Sequence, residues 1–177
     1  MMLFHRLFSV MDMLHPARVA YAHCDIPCGI YDPHLAQQAA HTVIRMVMLI
    51  EEATAKFKAL ANPIAEDRRE FVTKLARYTA TKEQHAELCK HEVRILWGDY
   101  FKPEHIQKYP ELHELVWKVM KLGSIARQSV DMQTAEELLE AANRVAEIFW
   151  ETKGMGHARY PAPNPTGRQT VYPTGKK

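Results

Sequence analysis

The sequence predicts an all-α protein, a four-helix bundle. Three observations predict it. Apolar residues recur at three- and four-residue steps in four separate stretches. Short links marked by Pro, Gly or Asn separate those stretches, so neighbouring helices should run antiparallel. No stretch alternates apolar and polar residues for long enough to read as a strand. At 177 residues, 47% hydrophobic and 25% charged, the chain suits one soluble domain with a real core, plus tails.

The first helix is expected from Pro33 to a stop at Asn62-Pro63. Asp32 can accept from the first free N–H groups, and Pro33 suits the first helical position. Leu35, Ala39, Val43, Val47, Ile50, Ala53, Phe57 and Leu60 mark its apolar stripe. Such a helix would be about 40 Å long. A second helix runs from Ile64 to about Trp97, with Phe71, Leu75, Tyr78, Leu88, Ile95 and Leu96 as markers. Thr79-Ala80-Thr81 is a weak place where it could bend, and Gly98 breaks the pattern. Asp99 to Pro103 reads as an aromatic-rich connection. A third helix is expected from Pro110 to about Ser129, carrying Leu112, Leu115, Val116, Val119, Leu122 and Ile125. The fourth runs from about Met132, capped by Asp131, to Lys153, and Gly154 and Gly156 stop it. After that, Pro161, Pro163, Pro165 and Pro173 suggest that residues 154–177 form a flexible, proline-rich tail or extended arm.

The formal net charge is +2, so nothing global points to nucleic acid. No apolar run approaches the roughly 20 residues needed to span a bilayer. The three cysteines, Cys24, Cys28 and Cys89, are too few and too odd a number for a disulfide framework. Cys89 falls within a helical pattern and reads as a small buried hydrophobe. Residues 1–22 end in Ala20-Tyr21-Ala22, a cleavage-type sequence, while Asp12, His15, Pro16 and Arg18 interrupt any secretory hydrophobic region. They read as a removable leader. The weak leader and the unpaired cysteines favour the cytoplasm and leave export open.

The residues that carry chemistry directly follow that leader. His23-Cys24-Asp25-Ile26-Pro27-Cys28-Gly29 places two thiols and an imidazole within a few residues. By spacing alone this is a metal hook, a thiol redox pair or an inert pair of cysteines. It lacks the second ligand pair of a closed zinc site. Cleavage after Ala22 would make the amine of His23 a further donor. The amine, the amide nitrogen and thiolate of Cys24, and the thiolate of Cys28 could then complete a square plane, which suits Ni(II) or Cu(II). The imidazole of His23 would be free to approach along the axis. Thiolates and a deprotonated amide favour the trivalent state of nickel, as a one-electron redox cycle would need. The thiolates are also the weak point, because peroxide can oxidise them.

The segment from His23 to Pro33, with Tyr31-Asp32 inside it, resembles the metal hook of the nickel superoxide dismutases. So do Lys82-Glu83-Gln84, Ala86-Glu87-Leu88, Leu96-Trp97, Asp99 to Pro103, Lys108 to His113 and Ile148 to Lys153. The resemblance covers residues 23 to 153. It implies a right-handed four-helix bundle, a cleaved leader, one nickel ion per subunit, and conversion of superoxide to hydrogen peroxide and dioxygen by Ni(II)/Ni(III) cycling. It also implies a homohexamer, a processing protease and a possible nickel-delivery factor, with no nucleic acid or membrane partner. The implied metal ligands are His23, Cys24 and Cys28, with a cis peptide before Pro27. Tyr31 and Tyr100 would border the open face of the metal. Asp25 and Asp99 would hold the hook and its surroundings, and Lys102 would attract the superoxide anion.

Two positions depart from the family pattern. A glutamate and an arginine that typically support the axial histidine fall at Ala39 and His85, so that support is missing unless His41 or His85 replaces it. The length around residues 56–75 and the tail are also unusual. His34, His41, His91, His105, His113 and His157 read as surface or hydrogen-bonded histidines, and Trp97, Trp117 and Trp150 as core or interface anchors. The rival function is a helical protein that holds nickel or copper through the same hook without turnover.

Overall fold

The computed structural model describes residues 29–176. Four long helices build it: α1 (His34–Lys58), α2 (Ala65–Ile95), α4 (Leu112–Gln128) and α5 (Met132–Thr152). A π-helical turn (Leu96–Tyr100) and a short α3 (Pro103–Lys108) link α2 to α4. The helix α1 packs on α2 and α5, and α4 also packs on α2 and α5. This arrangement is the expected four-helix bundle.

The starts and stops follow local chemistry. Asp32 Oδ1 accepts from the backbone N–H of His34 at 2.7 Å and so opens α1. The carboxylate of Asp67 accepts from Ile64 N–H at 2.9 Å at the start of α2. Asp131 caps α5 by accepting from Thr134 N–H at 2.8 Å. The free carbonyls at the end of α4 are met by a buried lysine on α2: the ammonium of Lys82 donates to Ala126 O and to Arg127 O.

The core lies between the upper halves of α1 and α2 and the whole of α4 and α5. Ala40, Val43, Ile44, Ala86, Cys89, Val93, Leu112, Val119, Leu138, Val145, Ile148 and Phe149 are essentially excluded from water. Ala and Val along α1 allow the helices to approach closely. By contrast, no residue from 51 to 81 is fully buried. Here α1 and α2 project beyond the bundle as a two-helix arm, clamped by stacked Phe57 and Phe71 with ring centroids 4.3 Å apart. Thr79-Ala80-Thr81 does not interrupt α2.

The structure corrects two expectations. The connection around Asp99 contains the π turn, closed by Phe101 N–H donating to Leu96 O at 3.0 Å, followed by α3. Residues 154–177 do not form a loose tail. Within them, β1 (Met155–Pro161) and β2 (Gln169–Lys176) make an antiparallel hairpin, with Pro161 opposite Gln169 and a bulge between Gly156 and His157. The prolines hid it. In a two-stranded hairpin both strands are edges, where a missing N–H is tolerated. The tight approach of the strands requires Gly156, since a Cβ there would lie 2.5 Å from Thr174 Oγ1.

The hairpin is fastened by polar side chains from the bundle. Gln37 acts like a strand: it donates to Val171 O at 3.3 Å and accepts from Val171 N–H at 2.8 Å. Asn143 donates to Gln169 O at 3.0 Å. His41 lies between two threonines, with Nδ1 2.8 Å from Thr166 Oγ1 and Nε2 2.6 Å from Thr170 Oγ1. Thr166 gives its own proton to Asn164 Oδ1. It therefore accepts from His41 Nδ1–H, and Thr170 donates to Nε2. Burial, with a smaller contribution from His34, lowers the pKa of this neutral imidazole.

Candidate metal centre and its tyrosine wall

The expected ligands His23, Cys24 and Cys28, together with Asp25 and Pro27, lie outside the described residues. The structure describes what stands beside them. Tyr31, three residues after Cys28, is partly buried and packs against the core. Its ring centroid is 5.6 Å from that of Tyr100, with the planes tilted by 52°. Residues distant in sequence are thus brought together: Tyr31 just ahead of α1, and Tyr100 at the end of the π turn. The wider turn sets Tyr100 over the end of α5.

Tyr100 is surrounded by rings. Phe149 lies 4.6 Å away, Phe101 5.1 Å, and His105 is stacked at 5.8 Å. Its hydroxyl is 2.7 Å from Thr152 Oγ1. Burial raises the phenol above its ordinary pKa, and the contact with Thr152 opposes this. The ammonium of Lys153 sits 4.8 Å from the Tyr100 ring centroid and 5.5 Å from that of Phe149. Lys102 is exposed at the entry to α3, and its backbone N–H donates to His105 Nδ1 at 3.2 Å. Asp99 is exposed in the π turn. Thr152, Lys153, Phe149 and His105 were not singled out in the sequence. Three of them sit in the stretch of residues 148–153 that resembled the family, but no local spacing marks them as neighbours of Tyr100.

The remaining candidates separate clearly. Ala39 is buried in the core and offers no polar group. Both nitrogens of His41 are engaged by the hairpin, so His41 does not take over the support of His23. His85 Nδ1 bonds back to Thr81 O at 2.9 Å along its own helix. Cys89 is wholly buried, which raises its thiol pKa to about 12 and keeps it protonated. Among the described residues, no cluster of His, Cys, Asp or Glu is arranged to hold a metal. His34, His113 and His157 hydrogen-bond to Gln38, Trp97 and Glu151. Trp97 and Trp117 lie at the surface, Trp117 beneath the ammonium of Lys121.

The model of the family "Nickel-containing superoxide dismutase" matches residues 18–153. This chain belongs to the nickel-containing superoxide dismutase family. It is 43% identical to the nickel superoxide dismutase of Streptomyces coelicolor over 139 residues, covering 78% of this chain and 93% of that protein. It is also 43% identical to the enzyme of Streptomyces seoulensis over 132 residues, 75% of this chain and 88% of that one. A solved native nickel superoxide dismutase superposes with a TM-score of 0.57 at 43% identity, covering 74% of this chain and 99% of its own. An apo nickel superoxide dismutase gives 0.56 at 39% identity, covering 71% and 98%. The family match ends at Lys153, so the hairpin lies beyond it.

The donor set fits the metal that the family name specifies. Two thiols five residues or fewer from a potential amine terminus give the sulfur and nitrogen donors that suit a square plane. Three residues of chain reach at most about 11 Å. Cys28 is therefore tethered near Tyr31 and the ring cluster at Tyr100.

Proposed function

We propose that this chain dismutates superoxide at a nickel hook made by His23, Cys24 and Cys28 once residues 1–22 have been removed. The observation that carries this reading is the Tyr31–Tyr100 pair. It stands where the chain enters the bundle from Cys28, and it joins the motif to a wall assembled from distant residues. In this reading the amine of His23 and the amide and sulfur of Cys24 bind nickel with the sulfur of Cys28, and the imidazole of His23 approaches axially. Bound nickel supplies one-electron exchange between its divalent and trivalent states.

The chain's own residues do the rest. Tyr31 and Tyr100 limit access to small molecules and exclude bulk water. Lys102 adds positive charge on the approach and raises the local concentration of an anionic substrate. Asp25 and Asp99 hold the hook in place. The family match begins at Arg18, ahead of His23, which supports a precursor carrying residues before its hook. We assign the active form to a homohexamer in the cytoplasm, produced with a processing protease and a nickel-delivery factor. No described helix is long and apolar enough to cross a membrane.

The test compares the full chain with protein beginning at His23, each loaded with nickel or zinc, by metal analysis and superoxide consumption. The nickel-loaded, processed protein should be active, and the full chain should not be. Activity with zinc, or none with nickel in the processed protein, overturns the proposal. Nickel binding without turnover would support the metal-holding alternative. An alanine inserted ahead of His23, with cleavage still after Ala22, should abolish activity by moving the amine out of the chelate.

A further inference from the structure

Tyr100 receives its polar contacts from the last turn of α5. Thr152 Oγ1 lies 2.7 Å from Phe149 O and 2.7 Å from the Tyr100 hydroxyl. A carbonyl only accepts, and a threonine hydroxyl has one proton to give. That proton goes to Phe149, so the phenol is the donor in the second bond. The next residue, Lys153, rests its ammonium on the face of the same ring. The other groups around the ring are Tyr31, Phe101, His105 and Phe149. Apart from Lys153, none carries a permanent charge.

We infer that Thr152 is a positioning residue for Tyr100: its hydroxyl draws the phenol proton into α5 while Lys153 holds the ring. The phenol proton is then withheld from an anion arriving beside Tyr31, which meets a cation and an oxygen lone pair instead. If the phenol ionises, Thr152 can turn its proton toward the phenolate, and Lys153 favours the same charge. The consequence for superoxide rests on the nickel-hook reading, whereas the hydrogen-bond direction rests only on described residues.

The experiment uses protein beginning at His23, labelled with carbon-13 at tyrosine Cζ, first without metal. The Tyr100 resonance is the one absent from Tyr100→Phe. In Thr152→Val the phenol should titrate at higher pH than in the parent, because the phenolate loses its donor. Lys153→Met should also shift it upward, and Thr152→Ser should titrate like the parent. With nickel loaded, Thr152→Val should consume superoxide on the order of tenfold more slowly, as expected for a misplaced group. Thr152→Ser should keep the parent rate. Far-ultraviolet circular dichroism confirms that each variant is folded. An unchanged Tyr100 titration in Thr152→Val overturns the inference. So does a Thr152→Ser that behaves like Thr152→Val, since methyl packing would then explain the effect. If Thr152→Val shifts the titration while Tyr100→Phe keeps full activity, the assignment of Thr152 stands and the role of Tyr100 in turnover falls.

Discussion

The helix α5 separates two regions built from different materials. Its C-terminal turn faces the tyrosine wall, where rings and one cation make nearly every contact: Tyr31, Tyr100, Phe101, His105, Phe149 and Lys153. Its remaining length faces the hairpin, where hydrogen bonds and ion pairs dominate. Arg159 joins Glu140 and Glu147, Arg168 joins Glu136, and His157 joins Glu151. Behind them His41, Gln37 and Asn143 fasten the strands. Apolar ring packing tolerates small shifts, since its energy is spread over many weak contacts. The buried polar bonds do not, because each lost partner strands another group away from water. The wall can therefore lose a functional group and remain folded, whereas the hairpin cannot.

The largest effect should come from the hook itself. Cys28→Ser should release nickel and reduce superoxide consumption by about a hundredfold or more, because a coordinating thiolate is lost. Metal analysis and thermal unfolding test this together. A large fall in the melting temperature of the metal-free protein would show that the hook also supports the bundle and would break the contrast.

His41→Ala should act on the other side. It leaves Thr166 and Thr170 without their shared partner, opens a cavity, and should cost about 3 kcal/mol. Hydrogen exchange should quicken in the hairpin first, while nickel content remains unchanged. The pH dependence has a definite sign. Folded His41 resists protonation, so its pKa lies below its ordinary value of 6.5, the value that applies to the unfolded chain. Above 6.5 the residue is neutral in both states and adds no slope. As pH falls below 6.5 the unfolded state takes up a proton first, and stability declines toward the folded pKa. Chemical denaturation at pH 7.5 and 5.5 should show a larger difference for the parent than for His41→Ala.

A smaller effect is expected at Lys102. Lys102→Met should lower the bimolecular rate with superoxide about twofold to threefold and flatten its dependence on ionic strength. Stability should hardly change, since the side chain is exposed. The smallest effect is at Cys89. Cys89→Ala should cost about 1 kcal/mol by thinning the core and leave nickel binding and activity intact. A loss of nickel in that variant would show that the buried thiol takes part in metal handling.

The four helices were readable because each buries one continuous stripe, and their caps at Asp32 and Asp131 are short-range. The metal hook was readable because its donors lie within six residues. The hairpin was not readable, since Pro161 and Pro173 argue against strands unless both strands are edges. Nor was the role of His41 readable. A lone histidine on an apolar helix face has no visible partner until Thr166 and Thr170 are folded over it, more than a hundred residues away in the chain.

Local order and donor chemistry belong to the sequence. It determined the helices, the inert placement of Cys89 in a helical stripe, and the ligand set of His23, Cys24 and Cys28, because these depend on spacings of a few residues. Tertiary structure alone decided which groups meet across long separations. It set Tyr31 against Tyr100, placed Thr152 and Lys153 on that ring, and pinned a proline-rich end to the bundle through His41 and Gln37. The physical reason is that such contacts exist only after the helices pack, when burial makes each hydroxyl, amide and imidazole find a partner.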